Sequence, residues 1–433
     1  MFRHLQIDNP RERWLVGCAD TALTALTAPR RLFPRRHDPP ARILLLRLER
    51  MGDLLMSRSA IAELRRMAPA AGIDLVVGSW NTSLARILQG PDRVETLDMP
   101  WLARGGCGRG GGSRVALRAL GWRKRRYDLA INFEADIRSN LLMALSGARR
   151  RIGFDMAGGG PFLTDVVQYD KAAHVSTNSL RLVEVAMKEH GGAGPEGPDA
   201  AGGTRAPVRL VPPEHARRRA RALIEAECSR AGIPEASAST LIGVHAGGAR
   251  GIKRWPADRF AEVAGRLAQR SRAAVLLVGA EEDAAVNETV RRALPAGVPV
   301  VDLTSRADVV RLAAVLERIS ILLAVDSGPM HLADAVGTPL VAVYGPSDPR
   351  RWGPSSAWSR SIHAVLPCSR CNRIRRPPAR CSSGVPDCML SVDAAAVYEA
   401  AMSLLDLSRS SAARDGGTAI MPVAADPVGG TLR

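Results

Sequence analysis

Residues 43–69 read ILLLRLERMGDLLMSRSAIAELRRMAP. The apolar run Ile43–Leu48 is short and continuous, the signature of a buried strand. Glu49-Arg50-Met51-Gly52-Asp53 is a turn, and Leu54 to Met67 carries helical spacing that ends before Pro69. Strand, turn and helix in this order open an α/β alternation, and the rest of the chain continues it.

Further strands are expected at 73–77, 94–97, 128–133 and 165–169, with helices near 81–89, 113–125, 137–146 and 177–189. Gly105–Gly112 is a Gly-rich loop insertion. Residues 191–207, GGAGPEGPDAAGGTRAP, have no apolar periodicity and read as a linker. A second alternation follows. Its strands are expected at 241–245, 274–278, 300–303, 319–325 and 340–344, its helices at 257–270, 283–293, 307–317 and 330–336. A last helix spans 391–407 with Ser391 as its N-cap. The expected organisation is an N-terminal basic amphipathic extension (1–40), a first Rossmann-like domain (41–190), the linker, a second such domain (208–390), the final helix and a disordered tail (408–433). The length of 433 residues agrees with two to three domains.

Composition is that of a globular chain, with 46% hydrophobic and 24% charged residues, which excludes wholesale disorder. The net charge of +17 is concentrated. Residues 101–126 contribute +8, residues 347–381 contribute +7 and residues 1–40 contribute +3, which leaves the remainder at −1. Three basic patches on a near-neutral body attract phosphorylated substrates or anionic lipid. Aromatic side chains are only 4%, so stacking on single-stranded nucleic acid is disfavoured and no nucleic-acid partner is expected. Arg-rich composition alone would produce the same patches. No apolar run reaches the roughly 20 residues that span a bilayer. Asp8 and Glu12 near the N-terminus argue against a signal peptide, and seven cysteines argue for a reducing compartment. The expected location is the cytoplasm, peripheral on the inner membrane. In 1–40, Leu15, Ala19, Ala22 and Leu26 lie at helical spacing between arginines, which suits a helix on an anionic membrane surface or a helix packed on its own domain.

Ligands of doubly wound sheets sit just beyond the strands' carboxyl ends, so those turns hold the candidate site. Asp53 follows the first strand; it is either a general base that takes a proton from an attacking hydroxyl or a helix cap. His245-Ala246-Gly247-Gly248 leads into Lys253 and Arg254. The glycines free backbone N–H groups for phosphate, and the basic pair supplies countercharge to a departing diphosphate; a plain solvated loop is the alternative. This loop carries no GxGxxG or Walker lysine motif, which disfavours dehydrogenases and P-loop ATPases. Asp326, Ser327, Gly328 and His331 end an apolar strand and open a helix, whose N-terminus binds anions. Glu281 and Glu282 follow another strand, where a carboxylate suits ribose recognition, or they are a solvated pair.

Taken together, residues 43–69, GIKRWPADRFAEVAGRL (251–267), VDSGPMHLADAVGTPLVAVYGPSDPRRWGP (325–354) and DLAINFEADIRSNLLMALSGARRRIGF (128–154) resemble glycosyltransferase family 9, the heptosyltransferases. The resemblance covers roughly residues 42–407. It implies a GT-B fold, two Rossmann-like domains facing across a cleft. It also implies inverting, metal-independent transfer of a heptose from ADP-heptose to a phosphorylated glycolipid of the lipopolysaccharide core, with no cofactor required. Under it Asp53 matches the catalytic base and Lys253 the lysine on the donor diphosphate. Asp326, Ser327, Gly328 and His331 match the donor loop. The segment 70–125, on the acceptor side, departs from the family pattern.

Cys368, Cys371, Cys381 and Cys388 are spaced C-x2-C-x9-C-x6-C in a basic loop. Four thiolates would hold a structural zinc; free or packed thiols and redox pairing are the alternatives. Two other functions fit parts of the chain: a nucleotide-sugar epimerase or hydrolase of the same fold, and a non-enzymatic basic module binding anionic lipid or nucleic acid.

Overall fold

A computed structural model describes residues 2, 5, 7, 9–31, 38–100, 102, 111–188, 208–234, 240–374, 376–382 and 384–414. The linker 191–207, most of the Gly-rich loop at 105–112 and the tail beyond Arg414 lie outside these residues. The chain divides into two compact units, Met1–Gly203 and Thr204–Arg433.

Each unit is built on a six-stranded parallel sheet. In the first unit the strands are β1 (Arg42–Arg47), β2 (Gly72–Val77), β3 (Arg93–Thr96), β4 (Leu129–Asn132), β5 (Arg150–Gly153) and β6 (Asp165–Val166). Their order is β3-β2-β1-β4-β5-β6. The second unit carries β7 (Leu241–His245), β8 (Ala274–Leu277), β9 (Val300–Asp302), β10 (Ile321–Val325), β11 (Leu340–Tyr344) and β12 (Ser359–His363), in the order β12-β11-β10-β7-β8-β9. Read from the opposite edge, the second order is the same winding as the first. The topological switch points therefore fall between β1 and β4 and between β7 and β10.

Burial explains the central strands. Ile43, Leu44, Leu45 and Leu46 are all fully buried, as are Ile321, Leu322, Leu323, Ala324 and Val325. A strand apolar on both faces is stable only with helices covering each face, and each buried aliphatic side chain contributes about 1.5–3 kcal/mol. Trp255 and Phe260, stacked edge to face at 4.9 Å, begin the helical cover of the second sheet.

Several elements depart from the expected plan. The helix expected over 54–67 begins at Met51 and is interrupted at Ser57, whose hydroxyl donates to the Asp53 carbonyl. β5 reads RRIG and hides its character, because Arg150 is buried and satisfied by Asp165 and by the carbonyls of Val185 and Ala186. β12 is a half-buried edge strand without an apolar run. The Arg-rich helix Glu214–Arg230 shows inward only Ala216, Ala220, Ile224 and Cys228, a stripe too small to stand out from sequence. The last helix runs Ala394–Arg414, past the expected end at 407. At its start the amide of Ala395 donates to Asp393 rather than the helix being capped by Ser391.

The N-terminal helix Pro10–Arg31 is packed on its own unit. The Asp20 carboxylate accepts from the Gly159 amide at 2.9 and 3.0 Å, and a Cβ on Gly158 would stand 2.4 Å from Val16. Val16, Gly17 and Asp20 thus turn inward. Of the expected stripe, Leu15, Ala19 and Ala22 remain exposed, with Trp14 beside them, and the Leu26 side chain lies outside those described. Among the described residues no helix is long and apolar enough to cross a membrane.

Candidate functional site

In the first unit the switch point holds the turn Leu48–Asp53. Asp53 stands in the first turn of the helix Met51–Met56, and its carboxylate accepts from the Arg50 amide at 3.1 Å. It therefore has a local structural partner, and it is still about a quarter exposed. Arg47, the last residue of β1, is almost wholly buried and ties the turn together. Its guanidinium donates to the Asp53 carbonyl (3.1 Å), the Phe133 carbonyl (2.6 Å) and the Glu49 carboxylate (3.2 Å), and stands 3.8 Å from the Asp53 carboxylate.

Glu134 faces this turn from just beyond β4, and the sequence reading did not single it out. Its Oε1 accepts from the amides of Leu48 and, at 2.9 Å, Glu49. Burial pushes its carboxyl up to about 7, aided by the charge of Asp136 and offset by Arg47 and the two amides. On the other side of the turn, Trp80 Nε1 and Asn81 Nδ2 donate to the Glu49 carbonyl at 2.7 and 3.0 Å.

In the second unit the switch point lies between His245, the last residue of β7, and Asp326, just past β10. Lys253 Nζ stands 2.6 Å from Asp326 Oδ2, which also accepts from the Ser347 hydroxyl. Ser327 precedes the helix Gly328–Val336 but does not cap it with its hydroxyl, which meets His245 Nδ1 at 3.0 Å. The first N–H groups of that helix are thus left without a side-chain cap, the arrangement that receives an anion. His331, in the first turn, is buried.

Asp283 organises the small-residue loop. Its carboxylate accepts from the amides of Gly248 (2.9 Å) and Ala280 (3.0 Å) and stands 3.5 Å from His245 Nε2. Burial opposes its charge, yet the hydrogen bonds from His245 and Gly248, the His245 charge and the Ala280 amide outweigh it and hold the carboxyl below its ordinary range. Gly247 is required by this contact, since a Cβ there would lie 1.9 Å from Asp283 Oδ1. Gly248 adopts φ +130, and its carbonyl accepts from Arg254 at 3.2 Å. The second unit therefore gathers two hydrogen-bonded groups at its switch point, Lys253–Asp326–Ser347 and Ser327–His245–Asp283–Gly248–Arg254, with Gly247 packed against Asp283. Glu281 is drawn aside to the Ser305 hydroxyl at 2.8 Å and Glu282 is exposed. The buried carboxylate beside them, Asp283, is the one that shapes the loop.

The four C-terminal cysteines do not form the expected ligand set. Cys368, Cys371, Cys381 and Cys388 are free thiols, and among the described residues no group of three His, Cys, Asp or Glu side chains is placed to hold a metal ion. They are near enough to feel one another, because burial together with the charges of Cys371, Cys368 and Cys381 pushes the Cys388 thiol up to about 11. Cys388 is buried against Gly345, on the core side of the loop, whereas Cys368 and Cys371 are exposed.

Two parallel doubly wound sheets, each with polar residues gathered at its switch point, are the architecture of the GT-B fold class. The fold is similar to that of a glycosyltransferase family 9 protein from Veillonella parvula (TM-score 0.69, 23% identity, 85% of this chain and 98% of that one). It is also similar to Escherichia coli ADP-heptose lps heptosyltransferase II (TM-score 0.66, 22% identity, 85% and 99%). In sequence the chain is 27% identical over 327 residues to lipooligosaccharide heptosyltransferase 2 of Haemophilus influenzae, covering 75% of this chain and 88% of that one. It is 28% identical over 335 residues to lipopolysaccharide heptosyltransferase 2 of E. coli, with the same coverage. The family pattern of glycosyltransferase family 9 (heptosyltransferase) matches residues 117–378, and the chain belongs to that family. It is a glycosyltransferase, and the family resemblance read from residues 43–69, 128–154, 251–267 and 325–354 holds.

Proposed function

We propose that this enzyme transfers a heptose from ADP-heptose to a hydroxyl of a lipopolysaccharide core, with inversion and without a metal. The observation that carries the reading is the Lys253–Asp326 pair beside the uncapped helix Gly328–Val336, at the switch point of a sheet whose relatives carry heptosyltransferase names. In this reading Asp53 takes the proton of the acceptor hydroxyl as its oxygen attacks the anomeric carbon. The bond between that carbon and the diphosphate oxygen breaks, and ADP leaves with the electron pair. Lys253 and the helix N–H groups receive the charge on the diphosphate, which removes the need for a bound cation. Asp326 holds the ammonium in place beforehand. His245 and Asp283 orient Ser327 and the Gly247–Gly248 backbone, and Arg254 ties that loop from its far end. His331 stands in the same helical turn as a donor contact. Glu281 and Glu282 are ribose candidates of the same rim.

The test is a thermal-shift panel of ADP, UDP and GDP on wild type and Lys253→Ala, paired with turnover of Asp53→Asn. A shift with ADP that is lost in Lys253→Ala, together with lost turnover and retained ADP binding in Asp53→Asn, supports the reading. A shift confined to UDP or GDP replaces the donor. Normal turnover in Asp53→Asn removes the base. Turnover that survives EDTA supports metal independence, and release of free heptose without acceptor favours a hydrolase.

The acceptor is membrane-borne in this reading, and one surface suits it. Trp14, Leu15, Ala19 and Ala22 face outward from the N-terminal helix with Arg11 and Arg13 beside them, as an anionic inner-leaflet surface requires. Co-sedimentation with anionic vesicles that is weakened by Trp14→Ser and Leu15→Ser supports this docking, and unchanged co-sedimentation refutes it.

A further inference from the structure

The turn that carries Asp53 is held by groups that the transfer chemistry does not itself use. The amides of Leu48 and Glu49 both end on one oxygen of Glu134, while the Glu49 carbonyl ends on Trp80 and Asn81. Arg47 spans the same space, touching Phe133, Glu49 and the Asp53 carbonyl. Glu134 is wholly surrounded, and Glu49, Met99, Leu102, Asp136 and Ser139 close around a small cavity at its side. A carboxylate placed this way serves a backbone that must not move.

We propose that Glu134 is the positioning residue of the base turn, holding the Leu48–Asp53 backbone and keeping Arg47 from closing on the Asp53 carboxylate, so that its ionised form is the active one. The proposal rests on Asp53 being the base. The groups facing Glu134 are Arg47 and Glu49 from β1 and its turn, Asp136 from its own loop and Arg138 from the helix Ile137–Leu145; Asp53 is reached through Arg47. When Glu134 is charged, Arg47 has a third anion to balance beside Glu49 and Asp53. When it is protonated, the hydrogen bonds from Leu48 and Glu49 lose their ionic part, and Arg47 is left to Glu49 and Asp53. Charge-assisted bonds are roughly twice as strong as neutral ones, so the turn loosens and the base is masked. Burial raises the carboxyl to about 7, which places this change near neutral pH.

The experiment compares kcat across pH 5.5–8.5 for wild type and Glu134→Gln, with hydrogen exchange of the peptide spanning 48–53 measured on the same proteins. Gln mimics the protonated form. The expected result is a wild-type limb near pH 7 that vanishes in the variant, roughly tenfold lower kcat at pH 8 with unchanged donor KM, and faster exchange of the Leu48 and Glu49 amides. A limb that persists in Glu134→Gln, or wild-type exchange that tracks only the intrinsic pH dependence from pH 8 to 6, overturns the proposal. The exchange arm needs neither the variant nor turnover, so it decides whether Glu134 holds the turn even if Glu134→Gln does not fold. Full turnover in Asp53→Asn with pH-dependent exchange intact would locate the failure in the base assignment instead.

Discussion

Gly247→Ala tests whether Asp283 builds the loop proposed to meet the donor. The methyl group would sit 1.9 Å from Oδ1, 2.2 Å from Cγ and 2.8 Å from Cβ of Asp283, inside van der Waals contact for all three. Either the loop or the carboxylate must shift. Asp283 accepts from the Gly248 and Ala280 amides at 2.9 and 3.0 Å, and its side chain is 9% exposed, so solvent does not replace a lost bond readily. A hydrogen bond to a charged group contributes about 1.5–3 kcal/mol, and losing one of the two sets an expected destabilisation of about 2–3 kcal/mol. For a unit of this size that corresponds to a fall in Tm of about 5–10 °C. The assay is a double-mutant cycle with Asp283→Ala, read by urea unfolding and by ADP affinity. With the carboxylate gone, the alanine methyl has space, so the Gly247→Ala cost should shrink by about 2 kcal/mol in that background. ADP affinity should fall in both single variants, because both displace the Gly248 amide. A cost below about 0.5 kcal/mol, or one equal in both backgrounds, refutes the claim that the glycine exists to admit Asp283.

Two further substitutions test buried charge. Glu134 binds its proton more tightly folded than unfolded, so stability falls as pH rises from about 4.5 to about 7 and stays lowered above that. Glu134→Gln should therefore be more stable than wild type at pH 8, by at most about 3 kcal/mol less the weakened amide bonds, and nearly equal to it at pH 4.5; urea midpoints at the two pH values check this. Arg150→Met leaves Asp165 and the carbonyls of Val185 and Ala186 without their buried donor, and should cost about 3 kcal/mol in the same assay.

These substitutions also mark what the sequence shows and what it hides. β1, β7, β10 and β11 are apolar on both faces, so a local window reveals them, and the turns that follow them are then known. That sufficed to single out Asp53, Lys253 and Asp326. β5 is not visible in this way, because Arg150 is buried only by virtue of partners 15 to 36 residues away. Glu134 is separated from Leu48 and Glu49 by 86 and 85 residues, and nothing local distinguishes it from any acid after a strand. Asp283 was adjacent to two acids that looked equally suitable, and only the approach of Gly247 and Gly248, some 35 residues earlier, sets it apart. The four cysteines are grouped in sequence but differ in burial in the fold, which turns Cys388 inward and leaves Cys368 and Cys371 outside.

A common physical cause underlies these cases. Groups proposed to touch substrate must stand at strand ends, and the order of strands gives those positions from sequence. Groups that hold the backbone beneath them are chosen by contacts across the sheet, here between β1 and β4 and between β7 and the segment after β8. In both units a buried carboxylate from another strand end ties the turn after the unit's first strand: Glu134 accepts both the Leu48 and Glu49 amides, while Asp283 accepts the Gly248 amide and the Ala280 amide of its own segment. The two differ in what balances the charge. Asp283 has His245 at 3.5 Å and is held below its ordinary range, whereas burial pushes Glu134, which shares Arg47 with Glu49 and Asp53, up to about 7. The loop proposed to meet the donor is therefore anchored by a carboxylate held in its charged form, and the turn carrying the proposed base is the one that responds to pH near neutrality.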